Sequence, residues 1–150
     1  MSPLAAVLLA GCLLQYPVSG PVVRPFAPQG EYGGHWGIDL AVPEGTPVGA
    51  AGGGEVTFAG PVAGRLSVTV HHGGGVRTSY SYLSAIAVHP GEAVVSGTSL
   101  GRSGTDHGLP AVHFSMRVGS VYVDPAVACA ITAPWRALRL MVGSFAFSRK

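Results

Sequence analysis

From Glu55 onward the apolar positions come in short bursts or strict alternation, each burst bounded by glycine. "EVTFAG" and "RLSVTV" read as two strands joined by a turn at "GPVAG", which makes a hairpin. "HHGGG" is a second turn and leads into the strand-like run "VRTSYSYL". "AIAVHPGEAVVSGTSLGRSG" carries turn signals at Pro90-Gly91 and Ser96-Gly97, and "AVHFSMRV" and "SVYVDP" pair around Gly119-Ser120. In "AVHFSMRV", Ala111, His113 and Ser115 share one face, while Val112, Phe114 and Met116 share the other, which reads as core. No part of this region sustains a 3.6-residue period. The pattern predicts an all-β domain over residues 16–128.

Composition agrees with that pattern. Only 11% of the 150 residues are charged, while 23 are glycine and 12 are proline. Such a chain is poor in solvated helices and rich in short strands with tight turns. The net charge is +2, and Arg24, Arg65, Arg77, Arg102 and Arg117 are scattered rather than striped with aromatics. Nucleic-acid binding is therefore not expected.

The two ends differ from the middle. Leu4 to Leu14 is an apolar run too short to span a bilayer as a helix, and it reads as a signal-like or lipoprotein-like segment over residues 1–15. "LAGC" ends on Cys12, where a lipid anchor can attach, although no Lys or Arg precedes the run and Leu13 and Leu14 prolong it. Export to the cell envelope or beyond is the expectation. Cys129 has no CxxC partner and reads as a packed apolar thiol. In the tail, residues 129–150, Trp135, Leu138, Leu140 and Met141 with Arg136 and Arg139 suit a short amphipathic helix.

The candidate chemistry begins in "GGHWGIDLAVPEGTPV", where His35 stands four positions before Asp39. On one straight strand the two would lie about 13 Å apart, too far to share an ion. They can share one if the chain bends between them, and Gly37 permits a bend. Imidazole and carboxylate suit zinc. On spacing alone, a hydrogen-bonded surface histidine near a strand start is the more frequent case.

"HWGIDLAVPEGTPV", "GGGEVTFAG", "VTVHHGGGVRTSYSYLS" and "VHFSMRVGSVYVDP" together, in that order, resemble the lysostaphin-type zinc metallopeptidases, the LytM-like peptidoglycan endopeptidases. The resemblance implies an antiparallel β-sheet sandwich or open barrel crossed by a groove. It also implies a Zn²⁺ cofactor held by His35 and Asp39, from the His-x-x-x-Asp motif, and by His113, from the second position of His-x-His. Water then takes the open position, where the metal lowers its pKa to about 7.

Two positions depart from the family's pattern. The first histidine of His-x-His is Ala111 here, and the histidine of Tyr-x-His-Leu is Tyr82. Both changes remove a group that titrates near neutrality. Tyr82, with a reference pKa near 10, is a poor base but retains a hydroxyl donor. His107, in "SGTDHGLP" with Asp106 beside it, is a candidate substitute, and an exposed turn histidine is the competing reading. His72, before the "GGG" turn, is expected to be a structural residue supporting the metal ligands, and His89 has no assigned role.

The resemblance thus implies a zinc-binding, metalloendopeptidase-like domain acting on peptidoglycan peptides with weak or lost catalysis. The alternative is a non-catalytic module that binds cell-wall peptides or regulates another cell-wall hydrolase. A carbohydrate-binding β domain of unrelated type predicts no clustering of His35, Asp39 and His113.

Overall fold

The computed structural model describes residues 14–129. Cys12 and the tail helix expected over 135–141 lie outside the described residues. Twelve strands run through this region: β1 Val22–Arg24, β2 Ala27–Gln29, β3 Gly33–His35, β4 Ile38–Ala41, β5 Pro47–Gly49, β6 Gly54–Val62, β7 Arg65–His71, β8 Val76–Ile86, β9 Ala93–Val94, β10 Ser99–Asp106, β11 Leu109–Val118 and β12 Val121–Val123. One short helix, α1 Pro125–Cys129, follows them.

Every strand pairing is antiparallel. Ten strands form one sheet in the order β1-β4-β11-β10-β8-β7-β6-β9 with β12 and β5 attached, and β2 and β3 form a separate ribbon. The sheet wraps because β8 changes partner along its length. Val76 to Ser81 pair with β11, and Leu83 to Ile86 pair with β10. The expected all-β sheet with a groove is the observed fold.

Alternation separates the two faces of this sheet. Val68, Val70, Tyr80, Val112, Phe114 and Met116 are fully buried on one side, with the Tyr80 and Phe114 rings 5.4 Å apart. The other side of β7, β8 and β11 is polar and forms the floor of the groove described below. The expected hairpin at residues 60–64 is tighter than its glycines suggested. Strand β6 continues through Val62, which pairs with Arg65, so Ala63 and Gly64 alone make the turn, both with positive φ. That is the two-residue geometry matching strand twist.

His72 is structural, but it braces the core rather than the metal ligands. Its Nδ1–H donates to the Gly53 carbonyl at 2.7 Å, and its Nε2 accepts from the Thr78 hydroxyl at 2.7 Å. The Tyr80 hydroxyl continues this chain from Thr78 at 2.7 Å and accepts the Ala51 N–H at 2.8 Å. Burial lowers the His72 pKa from its ordinary value, which suits a neutral ring used as donor on one side and acceptor on the other. His89 instead meets Glu92 at the surface.

Candidate metal centre and groove

Three elements bring the metal-ligand candidates together. Strand pairing sets Asp39 of β4 directly beside His113 of β11, on the same face of the sheet. His35 arrives from the separate ribbon, because the chain bends at Trp36-Gly37 between β3 and β4. That bend removes the straight-strand separation that keeps residues four apart from sharing an ion. Glycine is required there for space. A Cβ at residue 37 would lie 2.6 Å from the Phe114 carbonyl oxygen and 2.8 Å from the His113 ring.

The donor atoms converge closely. His35 Nε2 lies 3.0 Å from Asp39 Oδ1 and 3.1 Å from His113 Nδ1, and His113 Nδ1 lies 2.8 Å from Asp39 Oδ1. His35 and Asp39 are buried, while His113 is half-buried at the cleft. The Pro25 carbonyl accepts from His35 Nδ1 at 2.8 Å, which places the ring's proton there and leaves Nε2 as a lone pair. A lone pair then faces a carboxylate oxygen at 3.0 Å, two acceptors in contact. A cation between them resolves that contact, and the Pro25 bond is the outer-shell support that metal-binding histidines usually have. A tetrahedron with bonds of about 2.0–2.1 Å has edges of about 3.3 Å, close to the observed triangle. The residues therefore fit zinc.

For Asp39, burial is the largest single influence and raises its pKa. Hydrogen bonding with His113 outweighs it and holds the carboxyl below its ordinary range. The ligand is thus ready in its ionised form.

The two departures from the family pattern sit beside this triangle. Tyr82 occupies the point where β8 exchanges β11 for β10, and its φ of 62° is left-handed. Its ring stands 6.3 Å from that of His113 and 6.0 Å from that of His107. Burial, then the Asp106 carboxylate, raise the Tyr82 pKa, so its hydroxyl keeps its proton. Ala111 is buried in the strand and brings no polar side-chain atom. A cavity of about 360 Å³ lies there, between Ala111, Asp39, Asp106 and His107.

His107 lines the groove with His113 and Tyr82. With Gly108 it forms the two-residue turn between β10 and β11, and both have positive φ. Its Nδ1–H donates to Asp106, a buried carboxylate. Asp106 thus bonds His107 and lines the same cavities as Tyr82 and Asp39. The sequence pointed to Asp106 only as a neighbour of His107; its approach to Tyr82 and Asp39 depends on sheet wrapping.

The groove has two halves of about 450 Å³ and 550 Å³, and His113, Trp36, Ser67 and Ser81 line both. Its floor is a grid. Ser67, Ser81 and His113 stand in one row across β7, β8 and β11, and Thr69, Ser79 and Ser115 in the next. The Ser67 and Ser81 hydroxyls share a bond of 2.9 Å, and those of Thr69 and Ser79 one of 2.8 Å. Trp36 and Tyr122, with ring centroids 5.6 Å apart, stand on one side, and Phe58 and Val62 also line the groove. These hydroxyls were legible as polar residues at alternate positions in "RLSVTV" and "VRTSYSYL".

Comparison with known proteins agrees with this architecture. The family model described as "Peptidase family M23" matches residues 33–125. The chain is 34% identical to the cell division protein DipM of Caulobacter vibrioides, over 74% of this chain and 19% of that protein. It is 38% identical to the DD-carboxypeptidase/endopeptidase Mpg of Neisseria meningitidis, over 67% of this chain and 24% of that one. It therefore spans a quarter or less of these two relatives. Among solved structures, the catalytic domain of lysostaphin from Staphylococcus simulans superposes with a TM-score of 0.62 at 30% identity, covering 74% of this chain and 90% of that one. A zinc-containing peptidase from Vibrio cholerae superposes with a TM-score of 0.65 at 29% identity, covering 75% and 39%.

Proposed function

The chain belongs to peptidase family M23, and from that premise we propose that it is an exported zinc-binding domain that holds peptidoglycan peptides in its groove, with peptidase activity weak or absent. The observation that carries this reading is the convergence of His35 Nε2, Asp39 Oδ1 and His113 Nδ1, all within 3.1 Å of one another. His35, Asp39 and His113 would hold the ion. A bound zinc supplies Lewis acidity toward an amide carbonyl and a water of lowered pKa.

What the chain's own residues add is meagre. Ala111 neither takes nor gives a proton. Tyr82 keeps its proton. A positioned acid–base group is worth about 10² to 10⁴ in rate. Proton transfer then falls to His107, whose Nδ1 is bound to Asp106 and whose Nε2 has no protein partner among the described residues. The Asp106–His107 pair is the source of whatever turnover remains. The His107 ring is largely exposed, at 69%, so it is weakly held for that task.

Elemental analysis of the purified protein, followed by incubation with cross-linked peptidoglycan, tests both halves. The expected result is one zinc per chain with release of cross-bridges slower by about 10² or more than an intact relative. Rapid release abolished by His35→Ala would overturn the impaired-catalysis half. Absence of zinc at every loading would overturn the other.

The cavity beside Ala111 favours a second reading, a non-catalytic module that binds the wall or regulates another hydrolase. Sedimentation with isolated cell walls separates the two. Binding unchanged in His35→Ala marks a metal-independent adaptor. Export rests on the apolar run ending at Leu14, and a lipid anchor at Cys12 belongs to the same proposal.

A further inference from the structure

The third row of the groove floor differs from the first two. There Arg77 of β8 pairs directly with Arg117 of β11, and His71 of β7 stands on the other side of Arg77. Both arginines line the groove. Like charges directly opposite on neighbouring strands are destabilising. Among the described residues no carboxylate lies within ion-pair distance of either guanidinium, including Glu55, which is paired with His71 one strand further out. The Arg117 guanidinium carbon sits 5.3 Å from the Tyr122 ring centroid, which holds that side chain against the groove wall.

We propose that Arg77 and Arg117 form an anion subsite of the groove, reading a free carboxylate on an extended peptide about four residues from the bond held at His35, Asp39 and His113. The spacing follows from β11. Arg117 is four residues from His113 on one face, about 13 Å, and an extended peptide covers that distance in about four residues. Between them lie the hydroxyls of Ser79, Ser115 and Thr69, which can bond a peptide backbone without selecting side chains. The arginines then select, by charge-assisted and forked hydrogen bonds that a neutral amide does not form. This assignment rests on the groove being a wall-peptide site, and it names the substrate class of that site as an anionic peptide.

Two probes test it. The first is cell-wall sacculi stripped of phosphate polymers with hydrofluoric acid, compared with the same sacculi after their carboxylates are amidated. The second is an acetylated tetra-alanine peptide ending in glutamate amide, compared with the same peptide ending in glutamine amide. Its binding is followed by the change in tryptophan fluorescence of the zinc-loaded protein, Trp36 being the tryptophan that lines the groove. The wild type is expected to lose about tenfold in affinity with each neutral probe. The R77Q/R117Q variant should bind the anionic probes about tenfold more weakly, treat both members of each pair alike, and keep its zinc content and thermal midpoint. Equal wild-type binding to the glutamate and glutamine peptides overturns the subsite, as does a double variant that still discriminates. Failure to bind any sacculi, with the glutamate preference retained, overturns the wall-peptide reading and leaves the anion subsite standing. If only unstripped walls are bound and the peptides are not distinguished, the anion is a polymer phosphate and the carboxylate assignment falls.

Discussion

The two faces of β7, β8 and β11 use the same backbone for opposite purposes. On one face Val68, Val70, Tyr80, Phe114 and Met116 are sealed from water. On the other, one residue away in each strand, stand Ser67, Thr69, Ser81, His113 and the paired Arg77 and Arg117. The packed face carries stability, and the groove face carries a cluster of acceptors and a like-charge pair that packing alone would not choose. Polar groups opposed in this way mark where a fold accepts local cost for function.

The sharpest break of the comparison comes from adjacent residues on β11. Phe114→Ala should cost about 3–5 kcal/mol in denaturant unfolding, because the buried ring loses its contacts and leaves a cavity. Zinc is expected to act next in size. At a hundredfold over its dissociation constant it should stabilise the wild type by about 2.7 kcal/mol and leave Asp39→Ala unmoved, as read by thermal melts with and without chelator. Gly37→Ala tests whether the faces are coupled. Its methyl meets the backbone of Phe114 and the ring of His113, so a loss of about 1–3 kcal/mol should accompany weaker zinc binding.

A smaller effect is predicted for pH on the packed side. The His72 pKa is lowered in the fold, so the unfolded chain takes up the proton first. Stability present above the ordinary value of 6.5 should be lost as pH falls through the folded value. The thermal midpoint should fall more steeply with acid in the wild type than in His72→Gln, and parallel curves would remove His72 from this role. Smallest of all, Arg77→Gln, at an exposed groove-side position, should change stability by no more than about 0.5 kcal/mol in denaturant unfolding.

Much of this was readable along the chain because a strand has a two-residue period. The apolar set of "AVHFSMRV" named its core face, the glycine and proline turns fell close to where they were expected, and the ordered motif blocks pointed to His35, Asp39 and His113. Other features had no local signal. Asp106 is a carboxylate in a glycine-rich turn until the wrapped sheet brings Tyr82 and Asp39 against it. Arg77 and Arg117 stand 40 positions apart and become a pair only through the β8–β11 register.

What the sequence by itself determined is the class of fold, the buried side of a strand such as β11 and the kinds of atoms available to a metal. The tertiary structure decided how one imidazole from a separate ribbon reaches an aspartate and a histidine of neighbouring strands, and it alone put two arginines in one row. The reason is physical. Alternation is set by covalent geometry between adjacent residues, whereas convergence depends on register and on the bend that Gly37 leaves room for.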